Sequence, residues 1–154
     1  MNRFVEAMAG EGVTIDVTRF PEGTRTAADA AAAIGCDVAA IVKSLVFVVD
    51  GVGPVLALTS GAHRVDATRL AAHFGVAGPA RQAKPDEARA ATGYAIGGTP
   101  PFGHPAPVPT VCDPALLELD EVWAAAGTPD TVFPLTPDRL VELSAATVVD
   151  VTSA

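Results

Sequence analysis

The strongest hydrophobic pattern in the chain lies at residues 42–49, where β-branched and other apolar residues surround a single charge, Lys43. Such a run predicts a β-strand. The pair Asp50-Gly51 comes next and is typical of a hairpin turn, and residues 55–59 are again mostly apolar. We therefore predict a central β-hairpin, with further strands at residues 13–17, 94–96, 108–112, 122–125, 131–135 and 147–151.

Helices are predicted where a capping residue precedes a helix-forming stretch and a glycine follows it. Thr26 is expected to cap a helix that ends at Gly35, with Asp29 in its first turn. Further helices are expected at residues 3–9, 66–74, 84–92 and 139–144, and a helical turn at residues 37–40. The sequence therefore predicts one α+β domain over residues 1–154, with a mixed, barrel-like β-sheet flanked by helices.

Composition and charge restrict the class of protein. Hydrophobic residues make up 49% of the 154 residues and charged residues 18%, as in a globular chain. No apolar run is long enough to cross a membrane and no signal-peptide core follows Arg3, so we expect a cytoplasmic protein without a membrane contact. The formal charge of −8 argues against coating of nucleic acid through an overall positive field.

A local contact with phosphates is compatible with that acidic charge. Five cations between positions 64 and 89 form either one positive face or ordinary solvated surface, namely Arg64, Arg69, Arg81, Lys84 and Arg89. We favour solvated surface for most of them.

Cysteines and histidines give little sign of chemistry. Cys36 and Cys112 form no CxxC motif, so buried free thiols are expected rather than a disulfide or a metal site. The three histidines lack HxH and HExxH spacing, and we predict neither a metal nor a cofactor. His63 and His104 fall in predicted loops from which they could line a cleft. No GxSxG motif is present, so a covalent nucleophile is not indicated.

Lys43 is the first candidate for a functional residue. Alternation along a strand places it on the same face as Leu45 and Phe47, a poor environment for a solvated ammonium. The side chain either marks the floor of a pocket or lies near the strand end, from which its amine reaches water. In a pocket, an ammonium can bind a phosphate or carboxylate, polarise a carbonyl, or form a Schiff base.

The loop at residues 97–103 is the second candidate. Its paired glycines, Gly97 and Gly98, allow the backbone to approach a ligand and direct N–H groups at it, while Pro100 and Pro101 restrict the loop. Such a loop can hold a carbonyl oxygen or a developing oxyanion. A sharp structural turn is the more common use of this pattern. The loop is neither a P-loop nor a GxGxxG motif.

Taken in order, several short motifs resemble the YbaK/ProX family of aminoacyl-tRNA deacylases. The resemblance extends from about residue 26 to residue 151, and its loop is similar to a Gly-x-x-x-Pro signature with Gly97 and Pro101 at the ends. The other motifs are the helix at 26–35, the strand at 41–47, Arg81-Gln82-Ala83, Asp86-Glu87, Thr92-Gly93-Tyr94, and residues 113–117 and 135–140. The family shares its fold with the editing insertion domain of bacterial prolyl-tRNA synthetases.

The resemblance implies hydrolysis of the ester that joins a wrong amino acid to the 3′ end of tRNA, typically tRNA for proline. Lys43 falls on the key lysine of the family, and Gly97 and Gly98 fall on its backbone-binding motif. A water is expected to attack, helped by a ribose hydroxyl or by the substrate's own side chain. The implied partners are mischarged tRNA and prolyl-tRNA synthetase, with the protein as a monomer or a homodimer. Substrate binding is assigned to Thr26, Ser44, Arg81, Pro101, Phe102 and Gly103.

Three alternatives to the editing of alanine remain open. Family members that prefer alanine often carry a histidine in the C-terminal half, whereas the last histidine here is His104, so cysteine, serine, threonine or another small amino acid are further candidate substrates. A non-catalytic module that binds an aminoacyl or nucleotide ligand is the alternative from another class. A Schiff-base lyase built on Lys43 is the least favoured, because no acid or base stands near Lys43 in the sequence.

Overall fold

One long antiparallel hairpin organises the fold in a computed structural model that describes residues 2–22 and 26–153. The strands in these two ranges are β1 (Thr18–Arg19), β2 (Val42–Val49), β3 (Gly53–Ser60), β4 (Arg64–Val65), β5 (Arg81–Gln82), β6 (Thr110–Cys112), β7 (Val122–Ala125), β8 (Thr131–Leu135), β9 (Thr147–Val148) and β10 (Thr152–Ser153). The α-helices are α1 (Arg3–Gly10), α2 (Ala27–Ile34), α3 (Ala67–His73), α4 (Pro85–Thr92) and α5 (Pro137–Ser144). Short 3₁₀ helices cover Val38–Ala40 and Pro114–Glu118.

The central sheet has the strand order β5-β2-β3-β6-β9. Strands β2 and β3 pair antiparallel over their whole length, from Val42 opposite Ser60 to Val49 opposite Gly53. Strand β5 adds antiparallel to β2, whereas β6 and β9 add in parallel on the other side. The predicted hairpin is confirmed, and its turn requires a glycine because Gly51 has a φ of 76°.

Two smaller sheets complete the β structure. One has the order β1-β8-β7, and the other pairs β10 with β4. A single parallel bridge between Ile41 and Trp123 joins β7 to the start of β2. The predicted mixed α/β class is confirmed, but the sheets stay open, and the strands within residues 2–22 and 26–153 do not close a barrel.

Local capping explains the helix ends. The Thr26 hydroxyl accepts a hydrogen bond of 3.0 Å from the backbone N–H of Asp29, and the helix ends at Gly35 in the left-handed conformation. The prediction for α2 is therefore confirmed at both ends. Asp66 caps α3 and Thr136 caps α5 in the same way.

Two predicted strands are wrong. Residues 13–17 are irregular. Ile15 is buried and Val13 and Val17 pack against the core, so their alternation arises from packing and not from hydrogen bonding to a neighbouring strand. Residues 94–96 lead into a turn at residues 96–98, in which the carbonyl of Ala95 accepts the Gly98 N–H at 3.0 Å and the Thr99 hydroxyl at 3.1 Å. The predicted strands at 108–112 and 147–151 are present only as the shorter β6 and β9.

Strand β2 separates two hydrophobic cores. Val42 and Val46 on one face pack in a cluster with Phe4 and Phe133. Phe47 and Val49 on the other face pack with a second cluster that includes Leu70 of α3. The alternation predicted for β2 is thus present, and Lys43 belongs to the face that carries Phe47.

Candidate active site

A cavity of about 320 Å³ lies where α2, the start of β2, β7, β8 and the turn at residues 96–99 meet. Its walls are largely apolar, and its polar groups come from a few hydroxyls, the backbone and one lysine. The lining residues are Thr26, Ala27, Ala30, Ile41, Val42, Lys43, Ser44, Leu45, Ile96, Gly97, Thr99, Trp123, Ala125 and Val132. Such a lining is typical of a small-molecule site, in which few polar groups orient the ligand.

Lys43 is half-buried at the second position of β2, directly opposite Thr59 of β3. Its Nζ donates a hydrogen bond to the backbone carbonyl of His63. Burial lowers the pKa of the Lys43 amine below its ordinary value, and the nearby charge of Arg64 lowers it further, while Asp113 opposes the shift. Lys43 therefore lies in the cavity wall with a fixed partner for its amine.

His63 and Asp113 form a pair next to Lys43. The His63 Nδ1 lies 2.7 Å from the Asp113 Oδ2, and the Asp113 side chain is only 2% exposed. An ionised carboxylate only accepts hydrogen bonds, so the proton of this contact belongs to His63 Nδ1. Sequence analysis missed the pair, because 50 residues separate its members and no local spacing connects them.

Ser44 follows Lys43 and points to the opposite face of β2. Its Oγ is buried in the cavity wall and has no hydrogen-bond partner among the residues that the structure describes. Buried hydroxyls are normally satisfied, so this unpartnered hydroxyl on a cavity-lining residue is a candidate hydrogen-bond partner for a ligand. The Oγ1 of Thr59 is also buried and unpartnered there, but Thr59 does not line the cavity.

The glycines of the 97–103 loop have different environments. Gly97 lines the cavity with a φ of 89°, and its N–H has no hydrogen-bond partner in residues 2–22 and 26–153. The N–H of Gly98 instead donates to Ala95 within the turn. A Cβ at Gly98 would lie 2.7 Å from the carbonyl carbon of Thr128, so Gly98 permits a close backbone approach.

The rest of the loop lies behind the cavity. Phe102 is 3% exposed and packs against Phe4 and Phe133, with ring centroids 5.6 and 5.8 Å away. Gly103 has a φ of 77°, and a Cβ there would meet the Met8 Sδ at 2.7 Å. Pro101 is buried as well. These residues fix the loop and do not line the cavity.

His104 holds the same loop from its far end. Its Nε2 donates to the carbonyl of Pro100 at 2.8 Å, and its ring lies edge-on to Tyr94. Burial lowers the pKa of His104, which favours the neutral imidazole. A neutral ring with one N–H suits this donation to a carbonyl.

Arg81 lies outside the cavity. Its guanidinium makes two hydrogen bonds of 2.7 Å to Glu87 and holds the pKa of that carboxyl at about 2. Arg81 is paired with Val48 in the sheet, five residues along β2 from Lys43, which corresponds to about 16 Å. The structure thus brings together Thr26, Lys43, Ser44 and Gly97, and leaves Gly98, Pro101, Phe102, Gly103 and Arg81 out of the lining.

Several lining residues were not among the predicted site residues, including Ile96, Thr99 and Trp123. Ile96 is 51% exposed at the cavity and Thr99 is buried, because the turn at 96–99 replaces the predicted strand. Trp123 reaches the cavity through the bridge to Ile41. The single tryptophan of the chain on a predicted strand was the available signal, but its partner strand is distant in sequence.

The part of the chain that the structure describes has few groups suited to metal binding or thiol chemistry. That part contains no group of three or more His, Cys, Asp or Glu side chains able to hold a metal ion. It also has no helix long and apolar enough to span a membrane. Cys36 and Cys112 are both free, and burial raises the pKa of Cys112 to about 12.

The fold and the site define a mixed α/β domain with one lysine in the wall of a small, largely apolar cavity. Residues 21–143 match the model of the aminoacyl-tRNA editing domain family. The match covers most of the chain, and the chain therefore belongs to this family.

Individual relatives are similar over most of their length. The uncharacterized protein YwhH of Bacillus subtilis (strain 168) is 34% identical over 129 residues, which cover 84% of this chain and 81% of the relative. The crystal structure of a protein proposed as a trans-editing enzyme for prolyl-tRNA synthetase is 43% identical, with a TM-score of 0.88 and coverage of 100% and 99%. A scaffold protein for presenting linear epitopes is 38% identical, with a TM-score of 0.90 and coverage of 99% and 96%.

Proposed function

We propose that this chain is a freestanding aminoacyl-tRNA deacylase, which hydrolyses the ester of a small amino acid mischarged on tRNA, with tRNA for proline as the favoured substrate. The observation that carries the proposal is Lys43 among the residues that line the cavity, in a chain of the aminoacyl-tRNA editing domain family. The preference for tRNA for proline rests on the similarity to the protein proposed as a trans-editing enzyme for prolyl-tRNA synthetase.

The size and lining of the cavity favour a small amino acid as the substrate. A volume of about 320 Å³ is near the lower limit for ligand sites, and it must hold the ester and part of the ribose as well as the amino acid. Ala30, Ile41 and Trp123 supply apolar walls, and no lining residue carries a negative charge. A small uncharged side chain fits these walls, whereas a long or cationic one gains no partner.

Catalysis in this proposal rests on positioning and electrostatics. The Lys43 ammonium holds the terminal phosphate or the ester carbonyl, and the free N–H of Gly97 donates to the carbonyl oxygen. The buried hydroxyl of Ser44 supplies a further hydrogen bond to the bound ester. These groups stabilise negative charge on the carbonyl oxygen when water attacks.

The water is activated by the substrate in this scheme, since the described residues that line the cavity include no Asp, Glu or His. A free ribose hydroxyl accepts a hydrogen bond from the water and passes the water's proton on to the leaving ribose oxygen. The water oxygen bonds to the carbonyl carbon, the bond from that carbon to the ribose oxygen breaks, and the proton passes to the ribose oxygen. The products are the free amino acid and a tRNA with an intact 3′ end.

Recognition of tRNA is local in this proposal. A chain with a formal charge of −8 gains little from long-range attraction to phosphates. Arg64 lies close enough to Lys43 to lower the pKa of its amine, although Arg64 does not line the cavity. Contact with prolyl-tRNA synthetase would supply the remaining affinity for tRNA.

A non-catalytic module that binds the aminoacyl end is the second candidate. The observation that favours it is the same absence of a side-chain base from the cavity lining. Such a module would bind an uncleavable aminoacyl-adenosine analogue but would leave the ester intact. Binding without turnover therefore separates the two functions.

A deacylation panel tests the proposal. Wild-type protein is incubated with tRNA for proline carrying alanine, cysteine, serine or threonine, and with a matched tRNA carrying its correct amino acid. Hydrolysis of at least one small mischarged ester above the spontaneous rate is expected. No turnover on any member, together with saturable binding of the analogue, would establish the binding module instead.

A further inference from the structure

The partner of the Lys43 amine is a backbone carbonyl in the turn at residues 60–63, between β3 and β4. Lysine has a flexible four-carbon stem, so the position of its ammonium depends on what it is bonded to. The turn therefore decides where the Lys43 charge stands relative to the cavity.

Asp113 holds this turn from the end of the neighbouring strand β6. Its Oδ2 accepts the backbone N–H of Ser60 at 3.2 Å and the Nδ1–H of His63 at 2.7 Å. Its Oδ1 accepts the N–H of Ala115 at 3.0 Å, and the Asp113 N–H donates to Leu58. The carboxylate is thus fixed to the central sheet and hydrogen-bonds to both ends of the turn, at Ser60 and at His63.

The His63 side chain is held by Asp113 through Nδ1 and lies outside the cavity lining. The same residue gives its carbonyl to Lys43. Asp113 holds the His63 ring, and the His63 backbone carbonyl accepts the Lys43 amine, so His63 is suited to orienting Lys43.

We propose that His63 and Asp113 are positioning residues for Lys43, and that the buried Asp113 fixes the His63 ring so that the His63 carbonyl holds the Lys43 ammonium at the cavity. The effect of these residues on deacylation rests on the proposed function, whereas their effect on Lys43 does not. It assigns no chemical step to the imidazole itself. Asp113 also supplies the negative charge that opposes the loss of the proton from Lys43.

Three variants test the proposal. His63→Ala removes the ring but keeps the backbone carbonyl. His63→Asn keeps a side-chain N–H at the position of Nδ1, so it can still donate to Asp113, and it cannot act as a base. His73→Ala is the matched control, because His73 is exposed on α3 and is remote in sequence from the turn.

Two measurements are made on each variant. One is kcat/KM for deacylation of the substrate found in the panel. The other is the pKa of the Lys43 amine, read from the NMR signal of dimethylated lysines and assigned by its loss in Lys43→Arg. The second measurement needs neither tRNA nor activity, so it tests the positioning even if the proposed function fails.

For His63→Ala we expect a fall in kcat/KM of up to about 100-fold, the cost of misplacing a catalytic group by about 1 Å. Its Lys43 pKa should differ from that of wild type. His63→Asn should restore both values, and His73→Ala should leave both unchanged. A wild-type Lys43 pKa in His63→Ala would overturn the proposal, as would a His63→Asn variant as inactive as His63→Ala.

Discussion

The Nζ of Lys43 donates a hydrogen bond to the backbone carbonyl of His63, 20 residues further along the chain. This bond connects the second residue of β2 to the turn after β3, and it fixes a charge that the hydrophobic pattern alone leaves unexplained. Lys43 is half-buried, lines the cavity, and has an amine with a lowered pKa. Several measurable consequences follow from this arrangement.

The first prediction concerns the pH dependence of deacylation. The proposed active form of Lys43 is the ammonium, and its pKa is lower than that of an ordinary lysine. Activity above the spontaneous hydrolysis rate should therefore fall as the pH rises through the Lys43 pKa, at a pH below about 10.4. The measurement is a profile of kcat/KM against pH.

Lys43→Arg is the control for that profile, because a guanidinium stays charged throughout the accessible range. Any residual activity of this variant should lack the alkaline fall. If wild type and Lys43→Arg lost activity in parallel at alkaline pH, a different group would be titrating.

The second prediction concerns the buried hydroxyl of Ser44. Because this Oγ has no partner within the described residues, Ser44→Ala should change the free energy of unfolding by no more than about 1 kcal/mol. Loss of one hydrogen bond to the bound ester should raise KM about fivefold to tenfold. Denaturant unfolding and steady-state kinetics measure the two effects.

Thr59→Val serves as the matched control, since Thr59 has an equally buried and unpartnered hydroxyl that does not line the cavity. Its kinetics should equal those of wild type. Equal kinetics for Ser44→Ala and wild type would remove Ser44 from the proposed site.

The third prediction separates the two glycines of the loop. Gly98→Ala places a Cβ within 2.8 Å of two backbone atoms of Thr128, so we expect a loss of about 1–3 kcal/mol in the free energy of unfolding. Gly97→Ala meets no atom within 4 Å but is strained by its φ of 89°, which costs on the order of 1 kcal/mol. Urea unfolding of both variants tests this order, and a Gly97→Ala variant less stable than Gly98→Ala would contradict it.

The fourth prediction concerns Arg81. Arg81→Ala should raise the pKa of Glu87 from about 2 towards the ordinary carboxyl value of about 4.3, because the guanidinium stabilises the charged carboxylate. Carboxyl NMR titration measures the shift. Deacylation should be unchanged, because Arg81 lies away from the cavity. A large loss of activity would indicate that Arg81 contacts the substrate.

Local signals predicted the parts of the fold that are decided locally. The Asp50-Gly51 turn and the alternation of β2 define the hairpin, and Thr26 and Gly35 define α2. Residues 94–96 were wrongly predicted as a strand, since side-chain pattern does not reveal that the Ala95 carbonyl closes a turn. The open arrangement of the sheets depends on pairings between distant strands.

The candidate site was predicted only in part, for a similar reason. Lys43 stands out because a charge within an apolar strand is unusual, and Gly97 stands out because of its loop composition. The His63–Asp113 pair gave no such signal, because 50 residues separate its members. Trp123 stands out as the single tryptophan, but its partner Ile41 is 82 residues away, so the sequence did not place it at the cavity. Pairs of this kind become visible only when the strands are assembled.

The most direct test of the account is single-turnover deacylation by Lys43→Ala, measured on the mischarged tRNA that wild type hydrolyses. Lys84→Ala is the matched control, because Lys84 is an exposed lysine that does not line the cavity. We expect Lys43→Ala to remain folded and to react no faster than the spontaneous rate, while Lys84→Ala retains wild-type activity. Undiminished deacylation by a folded Lys43→Ala variant would contradict the central claim that the Lys43 ammonium carries the function.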